Sequence, residues 1–196
     1  MESQLSQDNV GQPEVSAWDG QGNNHARLSL VAAIADIVGQ RLNLDEILNQ
    51  ALRAVLDSLE LPTSGGIFLV DHDAGEIRLR ASHGLEPEWV ADNRTIGLDE
   101  CLCGEAVKTG KVMLTSEIGE THHARQRLMA AHDHIIVPLK TGGTVQGVMF
   151  LCLSQPYTLS DGDILLLTVV GNQMAGAIRN NLLFEEMRRR AAEFQA

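Results

Sequence analysis

Ile135-Ile136-Val137-Pro138-Leu139, then the turn Thr141-Gly142-Gly143-Thr144, then Val145-Gln146-Gly147-Val148-Met149-Phe150-Leu151-Cys152-Leu153: the reading of this stretch decides the fold. Two apolar runs separated by a Gly-Gly turn describe a β-hairpin. Pro138 has no amide hydrogen to donate, so it belongs at an end or on an edge of a sheet. Val145 to Leu153 is almost continuously apolar, the pattern of a strand covered on both faces.

Upstream, Gly65-Gly66-Ile67-Phe68-Leu69-Val70 runs into the turn material Asp71-His72-Asp73-Ala74-Gly75 and then Glu76-Ile77-Arg78-Leu79-Arg80-Ala81. The last segment alternates, so a second hairpin is expected with Ile77, Leu79 and Ala81 on one face. Between the hairpins, a loop holds Pro87 and Trp89. A short helix is expected from Leu102 to Lys108, closed by Gly110. A brief strand follows at Lys111–Leu114, then a polar, partly helical segment from Glu117 to about His132.

Helical patterning brackets the strands. Leu30, Ile34, Ile37 and Val38 recur at helical spacing, and after Asn43 so do Leu44, Leu48, Ala51, Leu52, Val55 and Leu59. Asn43 followed by Asp45 and Glu46 reads as a helix start. Ser160-Asp161-Gly162-Asp163 opens a long helix whose stripe runs through Leu167, Val170, Met174, Ile178 and Leu182 to Met187. The order is helix, hairpin, short helix, strand, hairpin, long helix. It predicts an α+β class, an antiparallel sheet with helices segregated to its faces. Residues 1–24 are polar and aperiodic and read as a flexible leader. The expected division is 25–43 N-terminal helix, 44–185 globular domain and 186–196 helical extension.

Composition narrows the function. The 196 residues carry a formal net charge of −11, which repels phosphate backbones and argues against nucleic acid as a partner. The one basic cluster, Arg188-Arg189-Arg190, suits the end of a helix. No apolar run reaches membrane-spanning length, and no signal peptide is visible at the N-terminus. Three cysteines do not make a secreted disulfide scaffold, so the expected compartment is the cytoplasm, with reduced thiols and no membrane partner.

Chemistry concentrates in one region. Cys101 and Cys103 stand one residue apart, and His122, His123, His132 and His134 follow within about thirty residues. Thiolate and imidazole suit zinc, iron and copper. A helix N-terminus beside the thiols would lower their pKa values. The expected centre uses Cys101, Cys103, His132 and His134, with His122 and His123 as further candidates. It would hold a metal ion (iron or zinc) or an iron-containing cofactor, an iron–sulfur cluster or haem. The competing reading is that the cysteines pack as small hydrophobes and His122 and His123 are solvated. Cys152, within an apolar strand, reads as core packing.

The segments quoted above resemble the GAF domain family over residues 44–185. Its markers are Ile135–Leu139 with the Gly-Gly turn and Val145–Met149, the spaced glycines from Ile96 to Gly110, and Tyr157-Thr158-Leu159-Ser160-Asp161 leading into the last helix. The resemblance implies a central antiparallel sheet, terminal helices packed on one face and often pairing between subunits, and a ligand pocket on the other. It implies a sensory or regulatory role in bacterial signal transduction, including two-component systems, with a kinase or cyclase as output partner and a homodimer through the terminal helices. Many members carry Gly-Glu-Gly-Leu where this chain has Asp99-Glu100-Cys101-Leu102, which puts Cys101 and Cys103 on the expected pocket wall.

Two other readings belong beside it. GAF-fold enzymes reduce free methionine-(R)-sulfoxide with loop cysteines, but their attacking cysteine precedes an acidic segment where this chain has Ala131-His132-Asp133. Cys101 and Cys103 would form only a strained disulfide. A dimerising scaffold without ligand is the third. Bilin attachment lacks its Cys-His pair. Arg125 and Arg127 offer a cyclic nucleotide no more than a wet helix face would.

Overall fold

The computed structural model describes residues 21–40, 42–59, 62–115, 133–153 and 157–193. In chain order they form α1 (Gln21–Gly39), α2 (Leu44–Leu59), β1 (Pro62–Asp71), β2 (Glu76–His83), α3 (Pro87–Asp92), β3 (Thr95–Gly97), α4 (Leu102–Thr109), β4 (Met113–Thr115), β5 (Asp133–Thr141), β6 (Thr144–Leu153) and α5 (Asp161–Glu193). The strands make one antiparallel sheet in the order β3-β2-β1-β6-β5-β4. β6 is central, which explains its almost continuously apolar sequence.

The two sheet faces carry different layers. One face, with Ile67, Ile135, Val137, Leu139, Met149 and Leu151, packs against α1, α2 and α5. The opposite face, with Phe68, Ile77, Ile136, Val148, Phe150 and Cys152, lies under α3 and α4 and their loops. The architecture is therefore the expected α+β fold, with the terminal helices on the sheet face opposite α3 and α4.

The helix ends follow their capping chemistry. At α2 the Asn43 Oδ1 accepts from the Glu46 amide at 3.0 Å while Glu46 Oε2 accepts from the Asn43 amide at 3.1 Å, a reciprocal capping box. α4 stops at Gly110, whose φ of 62° is left-handed and whose amide donates to the Ala106 carbonyl. α1 begins at Gln21, four residues before the expected start at His25, and ends at Gly39; the proposed leader lies outside the described residues up to residue 20. Of α1, Leu30 and Ile34 are buried. Full burial of such a side chain contributes about 1.5–3 kcal/mol, so the helix is held by a narrow stripe.

Two expectations are corrected. Ala81 does not share a face with Ile77 and Leu79: Ile67 pairs with Ala81 but Phe68 pairs with Leu79, so Arg80 is bulged out and Ala81 turns to the helix side. The loop around Pro87 is the short helix α3, with Pro87 in its first turn and Trp89 buried. The buried stripe of α5 ends at Ile178, and its continuation is exposed, Leu182 at 41% and Met187 at 68%, so the helix runs on past the domain it closes. Pro138 does sit on an edge, because among the described residues β4 covers β5 only from His134 to Ile136.

Candidate functional site

The thiols meet where the loop after β3 enters α4. Cys101 is the extended N-cap residue, with φ −153° and ψ 161°, and Cys103 lies in the first turn. That turn is pressed onto the preceding loop at Gly104, where a Cβ would overlap the Leu98 carbonyl oxygen. Lys108 pairs with Asp99 and ties the same loop to the far end of α4. The result is a helix start fixed in place above the sheet.

The two sulfurs are hydrogen-bonded to one another and differ in acidity. Cys101 is brought down from an ordinary 9.0 to about 7, first by the Cys103 thiol and then, against the opposing effect of burial, by the amide N–H groups of Gly104 and Cys103. Cys103 is raised well above 9.0, first by donating to Cys101, then by burial and by the neighbouring Cys101 and Cys152 sulfurs. The pair thus sets a thiol that ionises near neutrality beside one that holds its proton.

Beneath α4 the sheet presents His134, 6% exposed. It faces Thr115 on β4 and Cys152 on β6 as a direct cross-strand partner, and its ring lies 6.4 Å from that of Phe150. Cys152 is pushed up to about 11 by burial, with a Ser64 hydrogen bond opposing. Phe150 also packs against Phe68 at 5.5 Å and Trp89 at 5.6 Å. Among the described residues, the buried Trp89 Nε1 has no hydrogen-bond partner, an open donor in an otherwise apolar layer.

Cys101 and Cys103 are therefore brought together, and His134 lies on the same side of the sheet. Among the described residues, no three Cys, His, Asp or Glu side chains form a group that could hold a metal ion. His122, His123 and His132 lie outside the described residues. Thr115 and Asp133, the described residues that bracket them in sequence, lie at the ladder positions around His134. Sequence reasoning assigned Cys152 to packing and passed over Trp89; strand parity relative to Phe150 was the one signal that could have placed Cys152 on this face. A cleft of about 650 Å³ lies elsewhere, at the sheet edge beside Lys111, Pro138, Lys140 and Thr168, and reaches none of these residues.

Comparison with known proteins agrees with this architecture. A 26% identity over 185 residues relates the chain to the Nif-specific regulatory protein of Azospirillum lipoferum, covering 89% of this chain and 29% of that one. The peroxide stress-activated histidine kinase mak2 of Schizosaccharomyces pombe is 24% identical over 176 residues, 83% of this chain and 7% of its own length. The chain thus spans less than a third of either relative. The GAF domain of a phosphoenolpyruvate-protein phosphotransferase from Coxiella burnetii superposes with a TM-score of 0.74 at 16% identity, over 84% of this chain and 99% of that one, a likeness of fold. The GAF domain family model matches residues 41–179, and the chain belongs to the GAF domain family.

Proposed function

We propose that this regulatory GAF domain senses its signal through a metal centre held by Cys101 and Cys103, with His134 and a further imidazole from His132, His122 or His123. The observation that carries the reading is the hydrogen-bonded thiol pair at the start of α4, on the sheet face that also holds His134. A thiolate near neutrality and a buried imidazole suit zinc, iron, an iron–sulfur cluster or an axially ligated haem. The open donor on Trp89 favours an occupant bearing an acceptor atom. When bound, such a centre supplies affinity for a gas, an oxidant or the metal itself; the residues around it orient it and limit access of water.

The relatives support the regulatory side. One is named a Nif-specific regulatory protein and another a peroxide stress-activated histidine kinase, and each is much longer than this chain. A signalling output module such as a kinase or cyclase on the same or a partner polypeptide fits that pattern. Occupancy that favours one packing of the terminal helices over another would pass the signal on. The exposed Leu183, Phe184 and Met187 on α5 favour a homodimer through those helices. Among the described residues no helix is long and apolar enough to cross a membrane; a reducing cytoplasm is the compartment that keeps both thiols available.

The test is metal analysis of anaerobically purified Cys101→Ala and Cys103→Ala proteins beside the wild type. Loss of metal from both, with an unchanged circular dichroism spectrum, is expected. Full stoichiometry in both variants contradicts the proposal.

A further inference from the structure

We infer that the Asp163 carboxylate is a mechanical junction that locks α1 to the domain and connects that lock to the start of β5. Asp163 is 4% exposed and receives four hydrogen bonds. Its Oδ1 accepts from Arg27 Nη2 of α1 at 2.7 Å. Its Oδ2 accepts from the Ser160 amide at 2.9 Å, the Ser160 hydroxyl at 2.7 Å and the Tyr157 hydroxyl at 2.8 Å.

Capping explains only part of this arrangement. The Ser160 amide and hydroxyl with the Asp163 amide form the capping box that opens α5. A cap needs neither Arg27 nor Tyr157. Arg27 shares one face of α1 with Leu30 and Ile34, the buried residues of that helix, so the ion pair sits at the end of α1's narrow attachment stripe. It lies so close to Gly162 that a Cβ there would collide with the guanidinium. Tyr157 reaches the other way: its amide donates to the Asp133 carboxylate at 3.4 Å, and Asp133 is buried next to His134 at the start of β5. One continuous chain of polar contacts therefore runs Asp133, Tyr157, Asp163, Arg27. A shift of the strand end that carries His134 would be felt at the α1 anchor. The junction stands whatever the pocket binds.

Amide hydrogen exchange on the full chain tests it, with Arg27→Gln, Tyr157→Phe and Asp133→Ala against wild type. Removing a bond to a buried charge is expected to speed exchange in α1 on the order of tenfold in Arg27→Gln, while β6 keeps its protection. Tyr157→Phe and Asp133→Ala, both outside α1, are expected to speed α1 exchange severalfold as well. If these two change exchange only around their own positions and α1 keeps wild-type protection, Asp163 is a helix cap and the inference is overturned. Should Asp133→Ala unfold the domain, seen as lost protection in β6, the Tyr157→Phe result decides, since it removes a single oxygen.

Discussion

His134 and Cys152 are direct cross-strand neighbours on the covered face of the sheet, with Phe150 two residues along β6 and beside the histidine ring. This pairing places an imidazole and a thiol under α4 with a packed aromatic layer behind them. The layer centres on Phe150, which touches Phe68, Trp89 and His134. Truncating it to alanine opens a cavity, and Phe150→Ala is expected to lower stability by about 3–5 kcal/mol. Urea unfolding reads this as a lower midpoint with an unchanged slope.

The acidity of Cys101 predicts a pH profile. Alkylation by iodoacetamide follows the thiolate, so its rate should rise through a midpoint at about 7, while Cys103 and Cys152 stay slow. The Cys103 thiol is the largest cause of the lowering, so Cys103→Ala should move the midpoint up toward 9.0. A wild-type midpoint near 9.0 would refute the assignment. The same depressed value stabilises the folded state above the ordinary pKa, and that contribution is lost as pH falls from about 9 through about 7. Cys103, shifted the other way, opposes it once pH exceeds its ordinary value.

Gly104 has no room for a side chain, because its α-carbon faces the Leu98 carbonyl. Gly104→Ala must push α4 away from the loop, at about 1–3 kcal/mol. The displacement should also separate Cys101 from the sheet, so thermal unfolding and metal content are expected to fall together. A variant with lowered melting temperature and full metal would separate α4 from the site.

Asn43 caps α2 without touching the pocket face. Asn43→Ala is expected to cost about 1 kcal/mol of stability and leave metal content unchanged. This makes it the control for variants in which instability alone would lower metal content.

The hairpins, the caps and the two helical layers were legible because each rests on local chemistry: a Gly-Gly turn, Asn43 with Glu46, Ser160 with Asp163. The facing of side chains was less so. Lys140 pairs with Val145 but Leu139 pairs with Gly147, so Gln146 is bulged out of the second hairpin. Counting from the Gly142-Gly143 turn without that bulge sets His134 opposite Leu151, on the wrong face; with it, His134 meets Cys152. The bulge at Arg80 misdirects Ala81 in the same way. A single extra residue inverts every facing beyond it, and composition carries no mark of it. Cys101 and Cys103 were found because their proximity is covalent. The junction at Asp163 was hidden because its partners, Arg27 and Asp163, lie 136 residues apart.

X-ray absorption at the metal edge of the protein purified without oxygen tests the central claim most directly. Sulfur scatterers are expected at about 2.3 Å from the metal, the thiolate distance for zinc, and are lost in the Cys101→Ala, Cys103→Ala double variant. Metal-free protein, or a shell of nitrogen and oxygen alone that the double variant retains, would contradict it.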